Sequence, residues 1–337
     1  MNSAIKDGAG TKKAASGWTE TVAMKRGCLL GLAVGDAVGQ SVEFRSPGSF
    51  EPVTGFREGG PHPIGAGDWT DDTSLALALA DSIGRVGWDV ADQAERYLSW
   101  WQDGQYSVIG CCFDIGGTTA TGLSRFESDG DAMRSGPTHS RSSGNGSIMR
   151  LAPVAIAGAS LFPNDIVGLA RLAAESSRPT HGSAQCVSAC QFLGVVLAAL
   201  INGVSREEVL SPRWEPLEQL RRDVGLHPRI DAVANGSYRQ KPVDQIRGSG
   251  WVVESLEAAL WAFDGASCYR DAVLRAVNLG DDADTTGAVG GQLAGACWGQ
   301  GGIPIEWLEE LGQREEMIEP ILDRLVKADL AAIHSGV

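Results

Sequence analysis

The sequence predicts an all-α protein: a single compact, multi-helix globular domain with a two-metal centre in a central cleft. Three observations carry that prediction. About a dozen segments space apolar or small residues at helical intervals, and no run of alternating β-branched residues between turns reads as strand. The 43% hydrophobic content of the 337 residues is enough to fill one large core. Two clusters of acids and hydroxyls, Thr70-Asp71-Asp72 and Asp282-Ala283-Asp284-Thr285, each open an apolar helix.

Charge and cysteine usage narrow the function classes. A net charge of −14 argues against a nucleic-acid partner, because such binding rests on neutralising phosphates. It suits a metal enzyme or a protein with a basic partner. Seven cysteines form no CxxC pair and no zinc spacing, which points to a reducing cytoplasm. Residues 1–21 read as a flexible N-terminal arm with Trp18 as its one large apolar residue, and 22–337 as the globular domain. The arm has no apolar stretch of the secretory kind. The longest apolar run, 186–201, is interrupted by Gln191 and falls short of the ~20 residues that span a bilayer. It reads as a buried helix of a soluble protein, with no membrane partner.

In chain order, 27–44 is a helix packed by small residues, with Asp36 set among them. A buried acid costs several kcal/mol unless paired, so Asp36 is either a hydrogen-bonded anchor or part of a polar site. Glu43 follows two helical turns later and can share its face. The Gly/Pro-rich stretch 44–67 is a loop of a length usually tied to function or mobility. Thr70, Asp71 and Asp72 then begin a helix, and another spans about 89–103. A further helix begins near Asp114, as an N-cap or a polar site. The loop 127–147 ends in Gly144-Asn145-Gly146-Ser147 ahead of a helix, a seat for an anion or a simple capping turn. An amphipathic helix occupies 163–177. His181 then opens the long buried helix, as a structural residue or a ligand. The region 202–249, broken by four prolines, is polar. Helices at 250–263 and 268–277 lead to 276–299, where Asp281, Asp282 and Asp284 precede a small, uncharged run. Glycine weakens a helix by up to ~1 kcal/mol, so this run makes sense where neighbouring helices pack very close. Two amphipathic helices close the chain over 303–333.

Together the two acidic clusters offer four carboxylates and two hydroxyls. Hard oxygen ligands suit Mg2+ or Mn2+. Carboxylates that converge without cations repel, so proximity demands divalent metal. Two ions ~3.5–4 Å apart are the usual answer to this many acids. The same residues also read as two independent helix caps.

The pattern resembles the ADP-ribosylglycohydrolase family over nearly the whole stretch 27–299. Gly-Cys-Leu-Leu-Gly-Leu-Ala-Val-Gly-Asp at 27–36, Thr70-Asp71-Asp72-Thr73, Gly144-Asn145-Gly146-Ser147 with Met149-Arg150, Thr180-His181, and Leu279-Gly280 through Asp284-Thr285 occur in the family's order. The resemblance implies an all-α globule with two Mg2+ or Mn2+ ions that hydrolyses the bond joining ADP-ribose to a modified protein side chain, arginine being the expected acceptor. It assigns the metals to Thr70, Asp71, Asp72, Asp282, Asp284 and Thr285. Glu43 matches a mobile glutamate acting as acid or base. Asp114 matches an aspartate with a catalytic or ribose-contacting role, and Gly144, Asn145, Gly146, Ser147 and His181 match ADP-ribose contacts. Asp281 departs from the pattern, since many members carry a second glycine there, and residues 1–21 extend beyond the usual start.

Two rival readings differ in class. Asp282-Ala283-Asp284-Thr285-Thr286 has the DxDxT form of haloacid-dehalogenase-like phosphatases, but no buried strand precedes it and only 51 residues follow. A non-catalytic or immunity-type protein, binding an ADP-ribosylating toxin through the arm, is the second. Retention of all six metal positions favours an enzyme, with toxin binding able to exist beside hydrolysis.

Overall fold

A computed structural model describes residues 19–331; residues 1–18, including Trp18 and nearly all of the expected arm, and residues 332–337 lie outside the described residues. The longer helices are α1 (Glu20–Gly39), α2 (Asp71–Val86), α3 (Val90–Asp103), α4 (Gly117–Asp129), α5 (Ile166–Ser177), α6 (Ala184–Ile201), α7 (Val252–Asp264), α8 (Tyr269–Val277) and α9 (Ala283–Trp298). No strand occurs among the described residues; the isolated antiparallel bridges Arg45–Asp281 and Gly144–Trp251 tie loops together. α6 is long and apolar enough to cross a bilayer by length and composition, yet 83% of it is buried inside the globule.

The centre of the molecule is the antiparallel pair α1 and α9. Glycine recurs every fourth residue on both, at Gly27, Gly31, Gly35 and Gly39 and at Gly287, Gly291 and Gly295. Residues four apart share a helix face, so each helix presents a stripe with no side chains. A methyl group built on Gly291 would overlap the Gly31 carbonyl, and one on Gly35 would overlap the Gly287 carbonyl. The backbones therefore touch, as the small-residue run predicted. The end of α1 then lies against the start of α9, with Gly39 abutting Ala283 and Asp284. Tyr269 on α8 reinforces the pair by donating to the Gly31 carbonyl at 2.8 Å. Gly291→Ala should destabilise the fold by about 1–3 kcal/mol through overpacking. An unchanged urea midpoint would contradict the backbone contact.

Several boundaries differ from the sequence reading. The first helix begins at Glu20, capped by Thr19, and ends at Gly39 in a 3-10 turn over Gln40–Val42. That tighter turn takes Glu43 off the Asp36 face and leaves it extended (φ −52°, ψ 138°). The helix expected at Asp114 starts at Gly117, and the one expected directly after Ser147 starts at Ala152. The polar region after α6 folds into short turns of helix, two of which carry proline in their first turn, where its missing N–H costs nothing. The closing segment forms short helices at Ile305–Glu309 and Glu319–Leu325.

Candidate functional site

The glycine-paired helices place two helix starts face to face. Thr285 at the start of α9 donates to Asp72 Oδ2 at 3.2 Å, and the Thr70 hydroxyl lies 3.2 Å from Asp284 Oδ2. Neither cluster caps its own helix. Thr70 and Asp282 occupy the N-cap positions but make no side-chain capping bond.

Asp36 of α1 supplies that service to α2 from outside. It is fully buried and accepts from the Thr70 N–H (3.0 and 3.1 Å), the Thr70 hydroxyl (2.9 Å), the Thr73 N–H (3.0 Å) and the Thr73 hydroxyl (2.6 Å). Asp36 is the anchor of the two readings the sequence left open, and its oxygens are spent. Asp71 and Asp72 are thereby released from capping. Asp282 is instead aimed by the loop across the cleft, through Asn145 Nδ2 to Oδ2 at 2.6 Å.

Beside this acidic floor stands a second group. His62 Nε2 lies 3.1 Å from Glu43 Oε2 and 3.3 Å from Asp114 Oδ1. Asp114 reaches it from a left-handed backbone (φ 58°), a conformation that aspartate tolerates better than most residues. The Phe113 ring packs against the imidazole, with centroids 5.3 Å apart. Sequence reasoning passed over His62. The available signal was the length of the loop that carries it, not any spacing around the histidine.

Glu43 and Asp114, with acids of the two helix starts, line a cavity of about 600 Å³. Glu43, Asp71, Asp114, Asp282, Asp284 and Thr285 form its acidic part. Gly116–Thr119, Gly144–Gly146, Met149 and His181 line the rest of it. The bridge Gly144–Trp251 holds the glycine loop, and a Cβ on Gly146 would come within 2.7 Å of His181 Cε1. Only glycine fits beneath that ring. Thr180 accepts from Arg150 at 2.6 Å, so its hydroxyl proton is free for His181 Nδ1 at 2.8 Å. With Thr180 donating to Nδ1, neutral His181 carries its proton on Nε2, and the residue lines the cavity. Thr70 and Asp72 lie below the floor. Ser147 points into the core, where it accepts from the Cys190 thiol at 3.4 Å, and does not line the cavity.

Burial dominates the electrostatics. It pushes the Glu43 carboxyl up to about 9, with Asp114 and Asp282 adding to the rise. Asp114 rises to about 7 by burial and the nearby Asp282 and Asp36 charges. Asp71, Asp72 and Asp284 stand well above the usual carboxylate range for the same reasons. Burial also drives His181 down to about 3, keeping it neutral. Asp72 Oδ1 and Asp284 Oδ1 are buried without a hydrogen-bond partner. Oxygens of Glu43, Asp282 and Asp284 come within 4.8 Å of one another. Unpartnered, mutually repelling oxygens are what a divalent cation neutralises, so the donor set fits metal.

A pH dependence follows. A carboxyl whose pKa is raised by folding favours the folded state at low pH, and that contribution is lost as pH rises through the folded value. Without metal, the protein should therefore lose thermal stability as pH climbs from about 4.5 to about 9, the Glu43 window. Added Mg2+ or Mn2+ should restore stability by an amount that grows with pH. Melting curves in chelator and in metal across that range are the check, and a metal effect independent of pH would contradict the coupling.

Residues 23–333 match a family model described as ADP-ribosylglycohydrolase. Over 308 residues, 90% of this chain and 79% of the relative, the chain is 40% identical to ADP-ribosylarginine hydrolase Tri1 of Pseudomonas putida (strain GB-1). It is 31% identical to the ADP-ribosyl-[dinitrogen reductase] glycohydrolase of Rhodospirillum rubrum over 86% of this chain and 90% of that one. A solved structure titled ADP-ribosylglycohydrolase-related protein complex superposes with a TM-score of 0.78 at 38% identity, covering 92% of this chain and 99% of the other.

Proposed function

Because this chain belongs to the ADP-ribosylglycohydrolase family and is a glycosidic-bond hydrolase, we propose that it removes ADP-ribose from modified arginine side chains, using two Mg2+ or Mn2+ ions. The observation that carries the reading is the convergence of the α2 and α9 acids beneath a cavity that also holds Glu43 and Asp114. Arginine is supported by the names of its relatives.

Asp71, Asp72, Asp282 and Asp284, with Thr70 and Thr285 beside them, would hold the metal. Bound divalent ions supply Lewis acidity toward ribose hydroxyls and water. The remaining work belongs to side chains. Cleavage of the ribose C–N bond passes through an oxocarbenium-like state that needs a proton for the departing nitrogen and a deprotonated water. Glu43, held protonated by burial, can give its proton to that nitrogen and, as carboxylate, take one from the water. Asp114 and His62 hold Glu43 in place. His181 and the Gly144–Gly146 loop offer donors and open backbone to the diphosphate and ribose.

The test is to incubate the protein and Mg2+ with proteins ADP-ribosylated on arginine or on serine, and to measure free ADP-ribose. Release from arginine that stops in chelator is expected. No release from arginine with either metal overturns the reading.

A second reading, neutralisation of an ADP-ribosylating toxin by binding, attaches to the N-terminal arm. Among the described residues, those lining the cavity fall between Glu43 and Thr285. Deleting 1–18 should then spare hydrolysis and weaken toxin binding, while Asp72→Asn does the reverse. Equal binding by the deleted protein would remove this role. The seven unpaired cysteines support a cytoplasmic setting for either role.

A further inference from the structure

Asp281 and Phe44 take no part in the chemistry above, yet both line the cavity. Both also hold a positive φ, 56° and 59°, which costs energy for any residue other than glycine and most for a bulky one. Two hydrogen bonds maintain them there. The Phe44 N–H donates to the Asp281 carbonyl at 2.7 Å, and the Asp281 N–H donates to the Arg45 carbonyl at 2.8 Å. This clasp joins the residue after Glu43 to the turn ahead of α9. Its effect is to hold an aromatic ring in the open, 66% exposed, at the rim of the cavity.

The carboxylate of Asp281 already binds a guanidinium. Arg247 Nε and Nη2 both donate to its Oδ2, at 2.8 and 2.6 Å. Asp281 Oδ1 has no hydrogen-bond partner among the described residues. A carboxylate is well shaped to accept a planar guanidinium, and an aromatic face attracts the same cation.

A group that passes a proton to the departing nitrogen must lie within hydrogen-bond reach of it. That group is Glu43, and Phe44 is the next residue, with Asp281 bonded to it. Phe44 and Asp281 line the same cavity and adjoin Glu43 through the chain and the clasp, so they border the space open to the released side chain.

We propose that Phe44 and Asp281 form the acceptor subsite and select a guanidinium leaving group. The guanidinium lies over the Phe44 ring and donates to Asp281 Oδ1, sharing the carboxylate with Arg247. A neutral, oxygen-linked leaving group makes no charge-assisted bond to Asp281 and no cation–π contact with Phe44. The inference rests on the arginine reading and names the residues that enforce it.

Asp281→Asn is the variant of choice. Asparagine keeps the size and adopts the left-handed backbone readily, so both clasp hydrogen bonds survive. The measurement is kcat/KM on an arginine-linked ADP-ribosyl peptide and on ADP-ribose carrying a neutral p-nitrophenyl leaving group. The arginine-linked substrate should lose about tenfold to a hundredfold, as expected for a lost charge-assisted bond, while the neutral one changes by less than about twofold. An equal fall on both substrates makes Asp281 a structural residue and overturns the proposal. So does an unchanged ratio in an enzyme whose wild type cleaves the arginine-linked peptide, and that result leaves the arginine reading standing. A wild type inert toward the arginine-linked peptide overturns the arginine reading and the subsite with it.

Discussion

Asp284→Asn should lower turnover by more than about 100-fold and strip the protein of divalent metal at the same time, because even outer-shell changes at metal sites cost 10–100-fold. Asp284 is 1% exposed, and its Oδ1 has no protein partner. Its carboxyl is pushed well up by burial and by Glu43, Asp282 and Asp72. Such a group is costly to keep charged in a protein without cations. The substitution therefore has two opposite effects. It removes a ligand charge, so metal binding and turnover fall together. It also removes one repelling charge from the cluster, so the metal-free variant should melt higher than metal-free wild type at pH 8. Metal content after dialysis, turnover and melting temperature are three separate readouts. Unchanged metal content with unchanged turnover would refute the assignment of Asp284 to the metal centre.

Glu43→Gln should lower turnover by about 10²–10⁴, the usual contribution of a positioned proton donor, with ADP-ribose affinity held within a few-fold. The amide preserves shape at a site that is 3% exposed, and it can still face His62 and Asp114. What it lacks is a transferable proton. If ADP-ribose affinity fell as far as the rate, Glu43 would be holding ligand rather than moving a proton. Asp114, raised to about 7 in the same group, would then inherit the role.

The sequence carried the convergence of the two acidic helix starts well, and the reason is local. Acids and hydroxyls at a helix start, after a Gly/Pro-rich loop, are a short-range pattern, and Thr70, Asp72, Asp284 and Thr285 converge as that pattern suggested. The stripe of glycines was legible for the same reason, since a four-residue period is written along the chain. Ser147 shows the limit. It belongs to a motif whose glycines and Asn145 face the cavity, while its own side chain faces the core. A four-residue motif does not state which way each side chain turns.

By itself the sequence determined the helical class, the two helix starts that bear acids and the small-residue faces able to meet. Helix propensity, capping and periodicity act between near neighbours, so these features needed no partner to be read. Only the tertiary structure decided that Asp36 is an anchor, because its partners at Thr70 stand 34 residues away. It alone turned Glu43 out of the helix toward His62 and Asp114, and it alone set Asp281 against Arg247, also 34 residues distant. These outcomes depend on how far α1 slides along α9, and the backbone contact of Gly31 with Gly291 sets that register.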